Sequence, residues 1–267
     1  MQTISTHTGA PHLDRQELNR HIAEIYRDVA NGAVRDLHFP TGRLLAEALG
    51  YPADLLDRLP ADAVSSFAGV GYYLDLVRLL PGERVLDLGS GSGMDVFAAA
   101  AQVGPRGSVI GVDITPEQLA QAERLRRNEP VSFRHARIEE LPFESGSFDA
   151  VISNGVVNLS ADKRRVFDEA ARVLRPGGRL ALADIATERH IAAGTACQAE
   201  LWAACIAGAS QRDLYLAQLE AEGLELQLVR RNPTYRFTSE RARRAGDKYG
   251  AHSISLLALK PQRPRRS

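Results

Sequence analysis

The chain has 267 residues, 44% of them hydrophobic and 25% charged, and its 33 Lys and Arg balance its 33 Asp and Glu to zero net charge. Such a chain buries a full core unaided, and its neutrality excludes a global attraction to nucleic acid or to an anionic membrane. Cys197 and Cys205 are too few for a secreted disulfide scaffold, MQTISTHTGAPHLD has no basic-then-apolar leader, and no run approaches the roughly 18 apolar residues of a membrane span, so a soluble cytoplasmic protein is expected.

Residues 1–13 are polar and irregular. Asp14 with Glu17 reads as a capping box, and Leu18, Ile22, Ile25, Tyr26 and Val29 recur at helical spacing until Asn31-Gly32. Short helices are predicted at 41–49 and 52–59, the second opened by Pro52 at its first position, so residues 1–80 form a helical extension or lid. From residue 84 the pattern becomes strand, turn, helix: VLDL, then MDVFAAAAQV, then the strand SVIGVD. Thr115 caps the next helix, with Pro116 first inside and Gln118 completing the box. VSFRH and FDAVIS are strands, and Ser160 caps a helix carrying Val166, Phe167, Ala170, Val173 and Leu174. Pro176-Gly177-Gly178 turns into the strand RLALAD. Helices at roughly 195–208 and 211–221 and strands at 224–230 and 252–260 complete the series. The alternation predicts an α/β, doubly wound parallel sheet with helices on both faces: a core over 81–190, continued by residues 191–267.

Ligands of such sheets sit beyond the carboxyl ends of the strands. At one such end VLDLGSGSG places Asp87, then Gly89, Ser90, Gly91 and Gly93, where bare backbone can approach a ligand. Asp113 ends the next strand, twenty residues after Gly93, where a carboxylate accepts both hydroxyls of a ribose. A dinucleotide fingerprint needs glycine or alanine at position 94, which is Met94, and Asp95 beside it would repel a diphosphate yet tolerate the amino end of an amino acid. The pattern points to S-adenosylmethionine, with S-adenosylhomocysteine as its product. Ile138 and Glu139 follow the third strand, where they could clasp an adenine by its face and amino group. Asn154 ends the fourth, beside the methyl sulfonium.

These residues together resemble the class I S-adenosylmethionine-dependent methyltransferases: VLDLGSGSG, VIGVD, RIEELPF, FDAVISN and RVLRPGGRLALAD stand in that family's order. GSGSGMDVFAAAAQVGPRGSVIGVDITPEQL, ISNGVVNLSADKRRVF and LWAACIAGA, with LGYPADLLDRLP and SFAGVGYY upstream, are most similar to the arsenite methyltransferase-like group. The resemblance implies a Rossmann-like seven-stranded sheet with an antiparallel last strand. It implies cofactor contacts from Gly89, Ser90, Gly91, Asp113, Ile114, Gln118, Ile138, Glu139 and Asn154, with Tyr72 or Tyr73 closing over the cofactor. It also implies thiolate ligands for arsenic, most of which are missing. One normally stands within ISNGVVN, where this chain has Gly155, and only Cys205 matches such a position. On one continuous helix Cys197 would lie ~12 Å along the axis and ~80° around it from Cys205, too far to share one ion.

Displacement at a methyl sulfonium needs alignment and exclusion of water more than a base. Acceptor-side candidates are Tyr72, Asn154, Asn158, Trp202 and Cys205. Four of them have a plainer alternative: Tyr72, near Gly69 and Gly71, forms a lid or packs, Asn158 orients an acceptor or caps the helix after residue 160, Trp202 walls the pocket or packs, and Cys205 is a ligand or a buried thiol. The histidines are scattered, His135 and His252 read as structural or exposed, and no metal site is expected. Arg230, Arg231, Arg236, Arg241, Arg243 and Arg244 cluster, as a solvated face or as a rim that recognises an anion. The expected function is methyl transfer to a small molecule by a monomer or homodimer, the acceptor being a metalloid or an organic metabolite methylated at O, N, S or C. A nicotinamide oxidoreductase, a non-catalytic nucleoside binder and an RNA methyltransferase are the competing readings.

Overall fold

The structure, a computed structural model, describes residues 20, 24–28, 39–191 and 208–262. The capping box at Asp14 and the helix expected at 195–208, with Cys197, Trp202 and Cys205, lie outside the described residues. Seven strands form one sheet in the order β3-β2-β1-β4-β5-β7-β6. They are β1 Arg84–Leu88, β2 Ser108–Asp113, β3 Val131–His135, β4 Phe148–Asn154, β5 Leu174–Ala186, β6 Glu225–Arg231 and β7 His252–Leu259. β1 pairs in parallel with β2 and β4, whereas β7 runs antiparallel to both β5 and β6. The expected sheet, with its antiparallel last strand, is therefore present.

Helices precede and alternate with the strands: α1 Arg43–Leu49, α2 Ala53–Leu56, α3 Ala61–Ser65, α4 Leu74–Val77, α5 Met94–Val103, α6 Pro116–Leu125, α7 Lys163–Val173, α8 Arg212–Ala221 and α9 Glu240–Tyr249. Local expectations needed correction in five places. Pro52 occupies the cap of α2 rather than its first turn. Thr115 stands at the cap of α6, but its N–H goes to Asp113 Oδ1 at 2.8 Å, which leaves Gln118 free of capping duty. Asp162, not Ser160, caps α7 by accepting from the Arg165 N–H, because residues 157–159 form a single 3-10 turn before the helix begins. β5 starts at Leu174, before the glycine turn, with an irregular register across it. α9 was not foreseen; Ser239 caps it through the Ala242 N–H.

Strand alternation sorts the core into two layers. Val85, Ala150, Ile152, Ala181 and Ile185 face one way, into a cluster shared with α5 and with residues 45–79. Leu86, Leu88, Val151, Leu180 and Leu182 face the other way, against α7 and α8. The segment 39–80 thus covers one face of the sheet and shares a single apolar cluster with it.

Candidate functional site

The strand order reverses between β1 and β4, where topology opens a crevice at the carboxyl ends of the strands. β1 ends in a turn whose Gly89, Gly91 and Gly93 have φ of 71°, 52° and 92°, a region costly to residues with a Cβ. At Gly89 the reason is also spatial: an added Cβ would stand 2.3 Å from Val156 Cγ2. The turn is tied to β2 by the Gly89 and Ser90 N–H groups, both donating to Val112 O. Asp113 pins it from the side, its Oδ2 accepting the Gly91 N–H at 2.9 Å.

Beyond this turn lies a cleft with about 1030 Å³ of empty space, its mouth included. Asp87, Gly89, Ser90, Gly91, Asp113, Ile114, Gln118, Ile138, Glu139 and Asn154 all line it. Gly93 is not among the lining residues; a Cβ there would meet Phe133 and Phe97, so this glycine serves packing under the turn. Gln118 forms part of the rim, its Oε1 accepting from the Ser92 hydroxyl and its Nε2 donating to Tyr26 O at 2.9 Å. Glu139 accepts from the Ser160 hydroxyl at 2.6 Å. The roof is Tyr26, Ala63, Phe67, Ala68 and Gly69, from the segment ahead of the sheet.

The sequence singles out Asp95 only as an acid near the helix start that tolerates an amino group, without its partners. It is 5% exposed, and its carboxylate accepts from Tyr51 Oη at 2.6 Å, Tyr73 Oη at 2.9 Å and Asn154 Nδ2 at 3.1 Å. The available signal was a lone acid in the apolar helix MDVFAAAAQV; its two tyrosine partners lie 44 and 22 residues upstream, beyond any local pattern. Asn154 also ties down the backbone, Oδ1 accepting the Val70 and Gly71 N–H groups at 2.8 and 3.3 Å. Residues 69–73 therefore form a strap across the end of β4.

Burial pushes the carboxyls of Asp87, Asp95 and Asp113 up, Asp87 well above the usual range because the charges of Asp95 and Asp113 add to its desolvation. Hydrogen bonds oppose the rise at Asp95 and Asp113. The Asp87 carboxyl has no hydrogen-bond partner among the described residues, and Ser90 Oγ is buried without one. Three clustered acids and an orphaned hydroxyl favour a ligand that brings positive charge and hydrogen-bonding groups. A nucleoside carrying an ammonium arm fits that demand.

The acceptor-side candidates do not come together. Tyr72 packs edge-on against Tyr51, with ring centroids 4.7 Å apart, and does not line the cleft. Tyr73 is buried behind Asp95. Asn158 is fully buried and neither caps a helix nor lines the cleft; its Nδ2 donates to Asp184 Oδ1 at 2.8 Å and to Ile185 O. Trp202 and Cys205 lie outside the described residues. His135, exposed, meets Ile114 O at 3.1 Å, and half-buried His252 meets Gly250 O at 2.9 Å. Among the described residues no group of three or more His, Cys, Asp or Glu side chains is placed to hold a metal ion.

Residues 79–227 match the family described as a methyltransferase domain. An arsenite methyltransferase of Halobacterium salinarum is 44% identical over 183 residues, 67% of this chain and 46% of that protein. One from Aquipseudomonas alcaligenes is 43% identical over 58% of this chain and 47% of its own length. This chain thus spans about half the length of the curated relatives it matches. A crystal structure of an arsenic (III) S-adenosylmethionine methyltransferase from Chlamydomonas reinhardtii superposes with a TM-score of 0.62 at 29% identity, covering 85% of this chain and 76% of that one.

Proposed function

The chain belongs to the methyltransferase domain family, and on that premise we propose that it transfers a methyl group from S-adenosylmethionine to a small molecule. The cleft at the β1–β4 reversal carries this reading, above all the arrangement in which Asp113 both pins the glycine turn and lines the cavity. Asp113 would accept the ribose hydroxyls, Ile138 and Glu139 would hold the adenine, and Asp87 would take the ammonium group. Gly89 and Gly91 present backbone without a Cβ to the same ligand, and Ser90 offers its orphaned hydroxyl. When bound, the cofactor supplies an electrophilic methyl on a sulfonium sulfur. Asn154 keeps the strap 69–73 closed over the end of β4, and Phe67, Ala68, Val156 and Leu159 give the cleft an apolar wall that excludes water.

An organic acceptor is favoured over free arsenite by Gly155. It has a φ of 73°, and an added Cβ would rest 3.4 Å from Val70, where the resemblance places a thiolate in the metal-binding enzymes. The zero net charge supports a small-molecule acceptor rather than a nucleic acid. Action in the cytoplasm, as a monomer or homodimer, completes the reading; no helix among the described residues is long and apolar enough to cross a membrane.

Equilibrium dialysis with labelled S-adenosylmethionine tests the cofactor. Saturable binding is expected, and Asp113→Ala is expected to weaken it about 100-fold by removing charge-assisted bonds worth about 3 kcal/mol together. Undiminished affinity in that variant would remove Asp113 from the site. Mass spectrometry of a metabolite and metalloid panel incubated with enzyme and methyl donor identifies the acceptor.

A further inference from the structure

A second cleft, with about 1000 Å³ of empty space including its mouth, opens between the end of β6, α9 and the start of β7. It lies on the face of the sheet that carries the strap, and the strap separates it from the cofactor cleft. Ser253, on its wall, donates to Val70 O at 2.5 Å, and a Cβ on Gly71 would stand 2.3 Å from Asn232 Nδ2. On its other side the same strap meets Asn154. The two cavities are thus one backbone thickness apart.

The wall of this second cleft carries Arg231, Arg236 and Arg243 against one acid among the described residues, Asp247. Arg231 is ion-paired with Glu188 at 2.7 Å. Arg236 donates only to the backbone carbonyls of Pro233 and Tyr235, and the Arg243 side chain has no hydrogen-bond or ion-pair partner among the described residues. Two exposed guanidinium forks without carboxylate partners therefore line one concave surface. Guanidinium matches carboxylate and phosphate oxygens in a bidentate way. His252, also on the wall, has its Nε2 buried without a partner, an unmet polar atom of the kind a bound ligand or water satisfies.

We propose that this cleft binds an oxyanion, and that it holds the carboxylate or phosphate end of a small organic methyl acceptor. The first half stands on the cleft alone; the second rests on the methyl-transfer reading. Arg236 and Arg243 anchor the charged end, and the reactive end meets the methyl group when the strap, tied by Asn154 on one side and Ser253 on the other, moves aside. The substrate class is then an organic acid or a phosphate monoester.

The test titrates the full chain with succinate and, separately, with inorganic phosphate in a calorimeter, and measures S-adenosylhomocysteine binding in parallel. At least one anion is expected to bind saturably at millimolar concentration; succinate alone marks a carboxylate site and phosphate alone a phosphate site. Arg236→Gln with Arg243→Gln should weaken that binding at least tenfold, Arg243→Gln by itself severalfold, and Arg244→Gln, which removes a partner of Glu240 on α9, not at all. S-adenosylhomocysteine affinity should be the same in every variant. No saturable anion binding, or binding indifferent to the double variant, overturns the proposal while leaving methyl transfer intact if the nucleoside still binds. Anion binding without nucleoside binding sinks methyl transfer and, with it, the acceptor assignment, but not the oxyanion site. Among organic acids, phosphate monoesters and neutral metabolites, methylation only of neutral compounds, or a KM unchanged by the double variant, overturns the acceptor assignment.

Discussion

The two faces of the sheet each bury an aspartate held by tyrosine and asparagine, and the two clusters do different things. On one face Asp95 accepts from Tyr51, Tyr73 and Asn154 and borders the cleft at the β1–β4 reversal. On the other, Asp184 accepts from Asn158 Nδ2 at 2.8 Å, Tyr215 Oη at 3.1 Å and the Asn158 and Ile185 N–H groups, sealed among the residues that pack on α7 and α8. The residue types are the same, although Asp95 is held by three side chains and Asp184 by two side chains and two backbone N–H groups. Access separates them: one cluster can feel a ligand, and the other can only hold the fold.

That contrast can be broken by experiment. The largest effect is expected from Asn158→Ala, which strips a buried carboxylate of one of its two side-chain donors and should cost about 3 kcal/mol of stability while leaving S-adenosylhomocysteine affinity unchanged. Chemical denaturation and calorimetry decide it, and a tenfold loss of affinity in folded protein would put Asn158 back at the ligand. Asn154→Ala should behave in the opposite way, with affinity falling about tenfold, worth 1.4 kcal/mol, as the strap and Asp95 lose their shared anchor. An affinity equal to the parent's would show that the strap does not support the site.

The smallest effect is a pH slope. Burial pushes the Asp184 carboxyl up to about 6, against its hydrogen bonds and the charge of Lys163. A folded value above the ordinary 3.8 means the folded state holds this proton more tightly than the unfolded state. The stability it adds is full below the unfolded value and is lost as pH rises through about 6. Lowering the pH from 7 to 5 should therefore add about 1 kcal/mol through this group. Asp184→Asn should abolish that part of the slope, whatever it does to stability at pH 7; an identical slope in the variant would rule Asp184 out as its source.

The sheet was legible because alternation and glycine turns are local signals. So was most of the lining of the cleft at the β1–β4 reversal, whose residues sit at strand ends in a fixed topology. The difference between Asn154 and Asn158 was not legible. Both lie in ISNGVVN, but Asn154 ends a strand and takes its direction from strand alternation, whereas Asn158 sits in a 3-10 turn and takes its role from Asp184, 26 residues on. Gln118 illustrates the same limit. Its spacing from Thr115 spells a capping box, yet Asp113 reaches the Thr115 N–H first, and Gln118 turns to the rim.

The cluster that joins residues 45–79 to the sheet has a practical side. A chain trimmed to begin at residue 81 would lose the 45–79 side of that cluster and uncover the apolar residues of β5 and β7 beneath α4, while α5 still covered β1 and β2. Such a fragment should precipitate or self-associate when expressed, so the helices ahead of the first strand travel with the sheet as part of its own interior.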